Sequence, residues 1–202
     1  MNRQVVLVLG AGYGRRMGGP KIFLQQGEDG FLRRILVRCQ ESKSPVVLVC
    51  PQGSLEQVRK LVPGGLKLPL LVEGDGNQPM LASLQVGLRL ARQKGLVVGG
   101  DRPDGFWVWP VDAPDISGAG SAKAVQAVAE APEMVWKLRS GGKTGHPTWF
   151  PGWSVAEILA GTWPDGLLGF LQQVPDRIRA LELNGEKLVD YNTPEELKQR
   201  EV

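Results

Sequence analysis

The apolar positions of this chain fall into two kinds of segment. Some are unbroken runs: Val5-Val6-Leu7-Val8-Leu9, Val46 to Cys50, and Phe106 to Val111. Short continuous runs rich in β-branched residues suit parallel strands covered on both faces. Other apolar residues recur at helical spacing. Leu32, Ile35, Leu36 and Cys39 mark a helix over Phe31 to Gln40, after a turn at Gly27-Glu28-Asp29-Gly30. Leu55, Val58, Leu61 and Val62 mark a second helix, for which Ser54 and Gln57 offer a capping box. Leu68 to Val72 reads as a strand with Pro69 near its start, and Glu73 to Pro79 as a loop. Leu81, Leu84, Leu88 and Ala91 then mark a long helix over Met80 to Gln93.

Further along, Ala119 to Ala131 reads as a helix and Met134 to Leu138 as a fifth strand. Thr144 to Phe150 reads as a loop entering a short strand. Short helices follow near Ser154 to Ala160 and Gly166 to Gln173, with strands at Ile178 to Leu183 and Lys187 to Val189. Thr193-Pro194-Glu195-Glu196 opens the last helix, with Thr193 as N-cap, Pro194 at the first helical position and Glu196 closing a capping box. Strand and helix alternate to about residue 140, which implies an α/β fold: a mostly parallel open sheet with helices on both faces. There is no repeat, linker or low-complexity segment, so a single domain over 1–202 is expected. In open α/β sheets, ligands bind beyond the carboxyl ends of the strands.

Composition narrows the function classes. A chain of 202 residues can bury a core of one α/β domain. The net charge is +3, without runs of like charge, so nothing points to nucleic acid. No apolar run approaches the length of a membrane span, and the opening MNRQ leads into the first strand without a signal peptide. A cytoplasmic enzyme is the expectation. Cys39 and Cys50 fall in a helix and a strand, which suits small core residues better than a disulfide or metal pair.

Charge matters locally, in the stretch Val5 to Lys21. Its apolar run stops at Gly10, Gly12, Gly14, Gly18 and Gly19, and Arg15, Arg16 and Lys21 lie in the same turn. Successive exposed N–H groups in a glycine turn form an anion-binding concavity. With fixed positive charge beside them, they suit a polyphosphate. The dinucleotide fingerprint G-x-G-x-x-G fails, because its last position falls on Arg15 counted from Gly10 and on Met17 counted from Gly12. The strand Val46 to Cys50 also lacks the acidic residue that would hold a ribose. The Walker pattern half-matches from Gly14 to Gly19 but breaks at Pro20, and Ile22 stands where Ser or Thr is needed.

What remains is L-G-A-G-x-G-x-R-M-G-x-P-K, from Leu9 to Lys21. It resembles the signature loop of the MobA-like nucleotidyltransferases, above all the molybdenum cofactor cytidylyltransferases. Gly10 is the one departure, since the family usually has Ala there. Three further segments carry the resemblance: Asp112-Ala113-Pro114 after a strand, Gly145-His146-Pro147, and Asp190-Tyr191-Asn192-Thr193-Pro194-Glu195-Glu196-Leu197.

The resemblance implies Mg²⁺-dependent transfer of CMP from CTP to a phosphorylated acceptor, molybdopterin, with release of pyrophosphate. It implies catalytic roles for Arg16 and Lys21, and nucleotide contacts for Leu9, Gly10, Ala11, Gly12, Gly14 and Ser83. Asp112 would ligate the metal, with Asn192 or Asp190 as second ligand. His146 would line the acceptor side, or be structural as lone histidines commonly are. Arg15 alone reads as an ordinary exposed residue, and Asp115 as a turn residue directed away from the strand end. The five-residue step from Arg16 to Lys21 and the Ala11-Gly12 pair resemble the cytidylyl branch and favour CTP over GTP.

Asn192 stands where one form of the family's C-terminal motif has Asp; this departure and a missing arginine keep a non-catalytic reading open. Ala82 and Gln78-Pro79 replace small residues usual beside the base and ribose, and Gly161 to Pro175 lacks the arginine of the family's G-x-x-G-[AL]-R segment. The alternatives are the same fold using GTP or another triphosphate with a sugar phosphate, and a nucleotide-binding regulator without turnover. The chain lacks any Ser-His-Asp or Cys-His set, which agrees with chemistry on an already ionised phosphate.

Overall fold

A computed structural model of the protein describes residues 4–26, 29–97, 99 and 104–198. Part of the expected turn before the first helix, Gly27-Glu28, lies outside these residues, as do Met1 to Arg3. In chain order the elements are β1 (Gln4–Leu9), the short paired strands β2 (Gln25–Gln26) and β3 (Asp29–Gly30), α1 (Phe31–Glu41), β4 (Val46–Pro51), α2 (Leu55–Leu61) and β5 (Leu70–Gly74). Then come α3 (Met80–Gln93), β6 (Gly105–Pro110), α4 (Gly118–Glu130), β7 (Val135–Ser140) and β8 (Lys143–Pro151). The remainder is α5 (Ser154–Ala160), α6 (Leu167–Gln173), β9 (Ile178–Glu182) and α7 (Pro194–Lys198).

A seven-stranded sheet runs in the order β5-β4-β1-β6-β8-β7-β9. Its strands are parallel except β8, which lies antiparallel to both β6 and β7. The central strands are apolar throughout because both their faces are covered. Val6, Val8, Leu48, Cys50, Trp107 and Trp109 face a core shared with α1, α2 and α4. Val5, Leu7, Val47, Val49, Phe106 and Val108 face a second core shared with α3, α5 and α6. The period-2 direction of strand side chains divides one run between two cores. No helix among the described residues is long and apolar enough to cross a membrane.

Four local expectations are corrected. The third main strand begins at Leu70, after Pro69, and extends through Glu73-Gly74. Proline cannot donate to a ladder, so it precedes the strand here. The expected loop at Thr144 is part of β8, which turns back from β7 through Gly141 and Gly142, at φ 55° and 78°. Two consecutive residues at positive φ make the tight hairpin turn that glycines favour. Lys187 to Val189 forms no strand. It packs by side chain, with Leu188 so close to Gly145 that a Cβ there would lie 2.5 Å from the Leu188 Cβ. The Ser54 box is absent, because its hydroxyl turns back to donate to the Pro51 carbonyl at 2.6 Å.

Candidate active site

The site forms where β1 and β6 end side by side. The Val111 N–H donates to the Leu9 carbonyl at 3.0 Å, and the Gly10 N–H to the Val49 carbonyl at 2.8 Å. The chain leaving β1 therefore starts its glycine loop beside the turn that carries Asp112. The loop folds on itself at Gly14, whose carbonyl accepts from the N–H groups of Met17 at 2.7 Å and Gly19 at 3.3 Å. Gly14 has φ 55°, and a Cβ there would lie 2.1 Å from the Gly19 carbonyl oxygen, so only glycine fits. At Gly10 an added Cβ would stand 3.0 Å from Ile22 Cδ1. Ile22 thus fills the space that an alanine would otherwise take.

A cleft of about 490 Å³ opens over this loop. It brings together Leu9 to Gly14, Arg16, Lys21, Ser83, Asp112 and Asn192, residues far apart in the chain. Arg16 makes no hydrogen bond or ion pair among the described residues and faces the cleft. The Lys21 ammonium donates to Asp112 Oδ2 at 2.7 Å and to Asn192 Oδ1 at 3.0 Å. One cation position thus has two oxygen donors from distant segments. Asp112 belongs to the turn after β6. Asn192 is set by the Thr193 capping box, in which Glu196 Oε2 accepts from the N–H groups of Asn192 at 2.6 Å and Thr193 at 3.2 Å, and the Thr193 hydroxyl accepts from the Glu196 N–H at 3.3 Å.

The far wall of the cleft is the loop between β5 and α3, which approaches the glycine loop closely. A Cβ on Gly76 would meet the Ala11 carbonyl oxygen at 2.4 Å and the Tyr13 ring at 3.0 Å. The Arg15 guanidinium donates to Asn77 Oδ1 at 2.9 Å, and Asn77 N–H donates to Asp75 Oδ1 at 2.9 Å. Arg15 is exposed, as expected, but its hydrogen bond also joins the two walls. Gln78 and Met80 also line this side, where the sequence departs from the usual small residues.

His146 does not line this cleft. It stands in a bulge of β8, where the register shifts so that Lys137 pairs with Thr148 and Leu138 with Gly145. Its Nδ1 is buried without a partner among the described residues. Burial lowers its pKa, against the opposing pull of the Asp190 and Asp112 carboxylates. Asp190 shows the converse: burial raises its pKa, His146 counters this, and Asp112 adds to it.

Asp115 was expected to point away from the site, as a turn residue. It does stay out of the cleft lining; its carboxylate is 4% exposed and ion-paired with Arg34 of α1, and it accepts a hydrogen bond from the Tyr191 hydroxyl. The sequence signal that could have revealed this is Tyr191 itself, the one aromatic residue between two polar candidates. Cys39 and Cys50 are free and buried, as expected.

The chain belongs to the family described as the MobA-like NTP transferase domain, whose model matches residues 6–178. Its fold and family are those of nucleotidyltransferases. No curated protein matches it by sequence. Among solved structures it is similar to Rv0371c of Mycobacterium tuberculosis H37Rv in complex with manganese, at 20% identity over 98% of this chain and 97% of that one, with a TM-score of 0.74. It is similar to a nucleotidyl transferase from Methanothermobacter thermautotroptrophicus, at 19% identity over 98% and 96%, with a TM-score of 0.70. It is also similar to CMP:2-keto-3-deoxy-manno-octonic acid synthetase complexed with CTP, at 11% identity over 99% and 97%, with a TM-score of 0.72.

Proposed function

We propose that this protein transfers CMP from CTP to a phosphorylated small-molecule acceptor in the cytoplasm, releasing pyrophosphate. The observation that carries the reading is the meeting of the glycine loop, Arg16, Lys21, Asp112 and Asn192 in one cleft beyond the carboxyl ends of β1 and β6. The loop's N–H groups and the two cations suit a triphosphate. A phosphate oxygen of the acceptor attacks the α-phosphorus in line, and the bond from that phosphorus to the bridging oxygen breaks. The charge that gathers on pyrophosphate is met by Arg16 and Lys21, positioned cations of the kind that stabilise a transition state. The acceptor phosphate is already ionised near neutral pH, so no general base is required.

The donor set fits Mg²⁺. Asp112 and Asn192 offer a carboxylate and an amide oxygen to one cation position, now held by the Lys21 ammonium. Mg²⁺ beside a nucleotide takes one or two protein oxygens, the phosphates and waters. Bound there, it would neutralise phosphate charge. Relatives complexed with manganese and with CTP support the metal and the nucleotide in this reading. The loop resemblance implies molybdopterin as acceptor. The test is pyrophosphate release with each of the four nucleoside triphosphates, with and without molybdopterin. Release with CTP and molybdopterin, dependent on Mg²⁺, is expected; release only with another pair would replace the reading.

A further inference from the structure

We infer that Asp115 is a positioning residue: through Tyr191 it fixes where the second candidate metal ligand, Asn192, stands. The inference rests on the metal reading of the cleft given above.

Asp115 is three residues beyond Asp112 and takes no part in lining the cleft. Its buried carboxylate nevertheless joins two elements that the sequence separates widely. Arg34 reaches it from α1, and the Tyr191 hydroxyl reaches it from the C-terminal segment. A buried charge is costly unless paired and hydrogen-bonded, so this carboxylate holds both partners in place. Tyr191 is 2% exposed, and its ring lies 5.1 Å from that of Phe31, on the first turn of α1. Its backbone N–H donates to the Asp112 carbonyl at 3.0 Å. Hydroxyl and backbone are thus tied to the two ends of one short stretch, Asp112 to Asp115. The next residue is Asn192, whose Oδ1 accepts from Lys21. The tether leaves the direction of Asn192 little freedom, and the spacing between Asp112 and Asn192 follows from it.

A partner behind a metal ligand typically changes metal affinity by about tenfold to a hundredfold when it is removed. The test is calorimetric binding of CTP in EDTA and again in saturating Mg²⁺, for wild type, Asp115→Asn, Tyr191→Phe and Asp112→Asn. Tyr191→Phe keeps the ring against Phe31 and removes only the hydroxyl, so it guards against a loss of fold. Metal-free binding is expected to be unchanged in Asp115→Asn and Tyr191→Phe. The gain in affinity on adding Mg²⁺ should fall about tenfold or more in both, as in Asp112→Asn. A full Mg²⁺ gain in both variants, with the gain lost in Asp112→Asn, would overturn the positioning role alone. Equal weakening with and without metal would also overturn it, since that is what a general structural role produces. No Mg²⁺ gain in wild type, or an undiminished one in Asp112→Asn, would overturn the metal reading and this inference with it.

Discussion

Nζ of Lys21 lies within hydrogen-bonding distance of both Asp112 and Asn192, so two roles converge on one ammonium group. Without a triphosphate it is the counter-ion of Asp112. With one, on the proposed reading, it would donate to phosphate. Lys21→Ala is expected to lower turnover by about a hundredfold or more while leaving the circular dichroism unchanged, because a positioned donor is lost and no core contact goes with it. Steady-state rates decide this, and wild-type turnover would remove Lys21 from the chemistry. Asp112→Asn should abolish the Mg²⁺-dependent rate, which a Mg²⁺ titration of activity checks. A third residue-scale expectation concerns Cys39. Burial pushes its thiol up from an ordinary 9.0 to about 12. A folded-state pKa above the unfolded one adds stability that is whole below pH 9.0 and is lost as pH rises toward about 12. Native protein should therefore resist alkylation at pH 8, with the thiol reacting after urea unfolding. Rapid labelling of the native thiol would show that the α1 face is open.

The glycine loop is an element whose shape depends on one backbone conformation. Gly14→Ala would place a methyl group 2.1 Å from the Gly19 carbonyl oxygen at a φ of 55°, so the loop must open. The sheet beneath it does not depend on that turn. The variant should keep the wild-type circular dichroism and lose CTP binding by about tenfold or more, the scale of one to a few kcal/mol of backbone strain; calorimetry gives the answer, and unaltered affinity would show the loop is not the nucleotide's seat. Elements differed in how plainly the sequence announced them. β1, β4 and β6 were legible because burial on both faces leaves an unbroken apolar run. The Thr193 box was legible because its partners lie within one helical turn. The start of β8 was not, since Lys143 and Thr144 are exposed and only the Gly141-Gly142 pair marks the hairpin. Ser54 also fails as a cap locally: its hydroxyl donates to the Pro51 carbonyl and caps no helical N–H. The site divides in the same way. Loop residues and Asp112 follow from a contiguous motif, whereas the Arg15–Asn77 link and the Asp115–Tyr191 tether are side-chain contacts across 62 and 76 residues. Pattern within a segment carries no information on such pairings.

At the scale of the whole molecule, the cleft brings together segments that lie far apart in the chain. Its walls come from the loop after β1, the start of α3, the turn after β6 and the segment before α7. A ligand that touches all four holds together regions belonging to both cores. Binding to the folded state alone stabilises it by mass action, by about 2.7 kcal/mol at a hundred times the Kd. For a chain of this size each kcal/mol raises Tm by about 2–4 °C, so saturating CTP with Mg²⁺ should raise it by roughly 5–10 °C. GTP should do less at the same concentration. On the proposed reading its larger base would have to fit near Ala11, Gly76 and Ser83, where the glycine loop and the loop before α3 already approach so closely that a Cβ on Gly76 would overlap the Ala11 carbonyl. Thermal melts with each nucleotide, at matched Mg²⁺, read the preference without any acceptor. A larger shift with GTP would exclude the cytidylyl reading while leaving the family intact. Equal shifts for all four nucleotides would mean that the phosphates alone are recognised, and that the wall formed by Gly76, Gln78 and Met80 selects nothing.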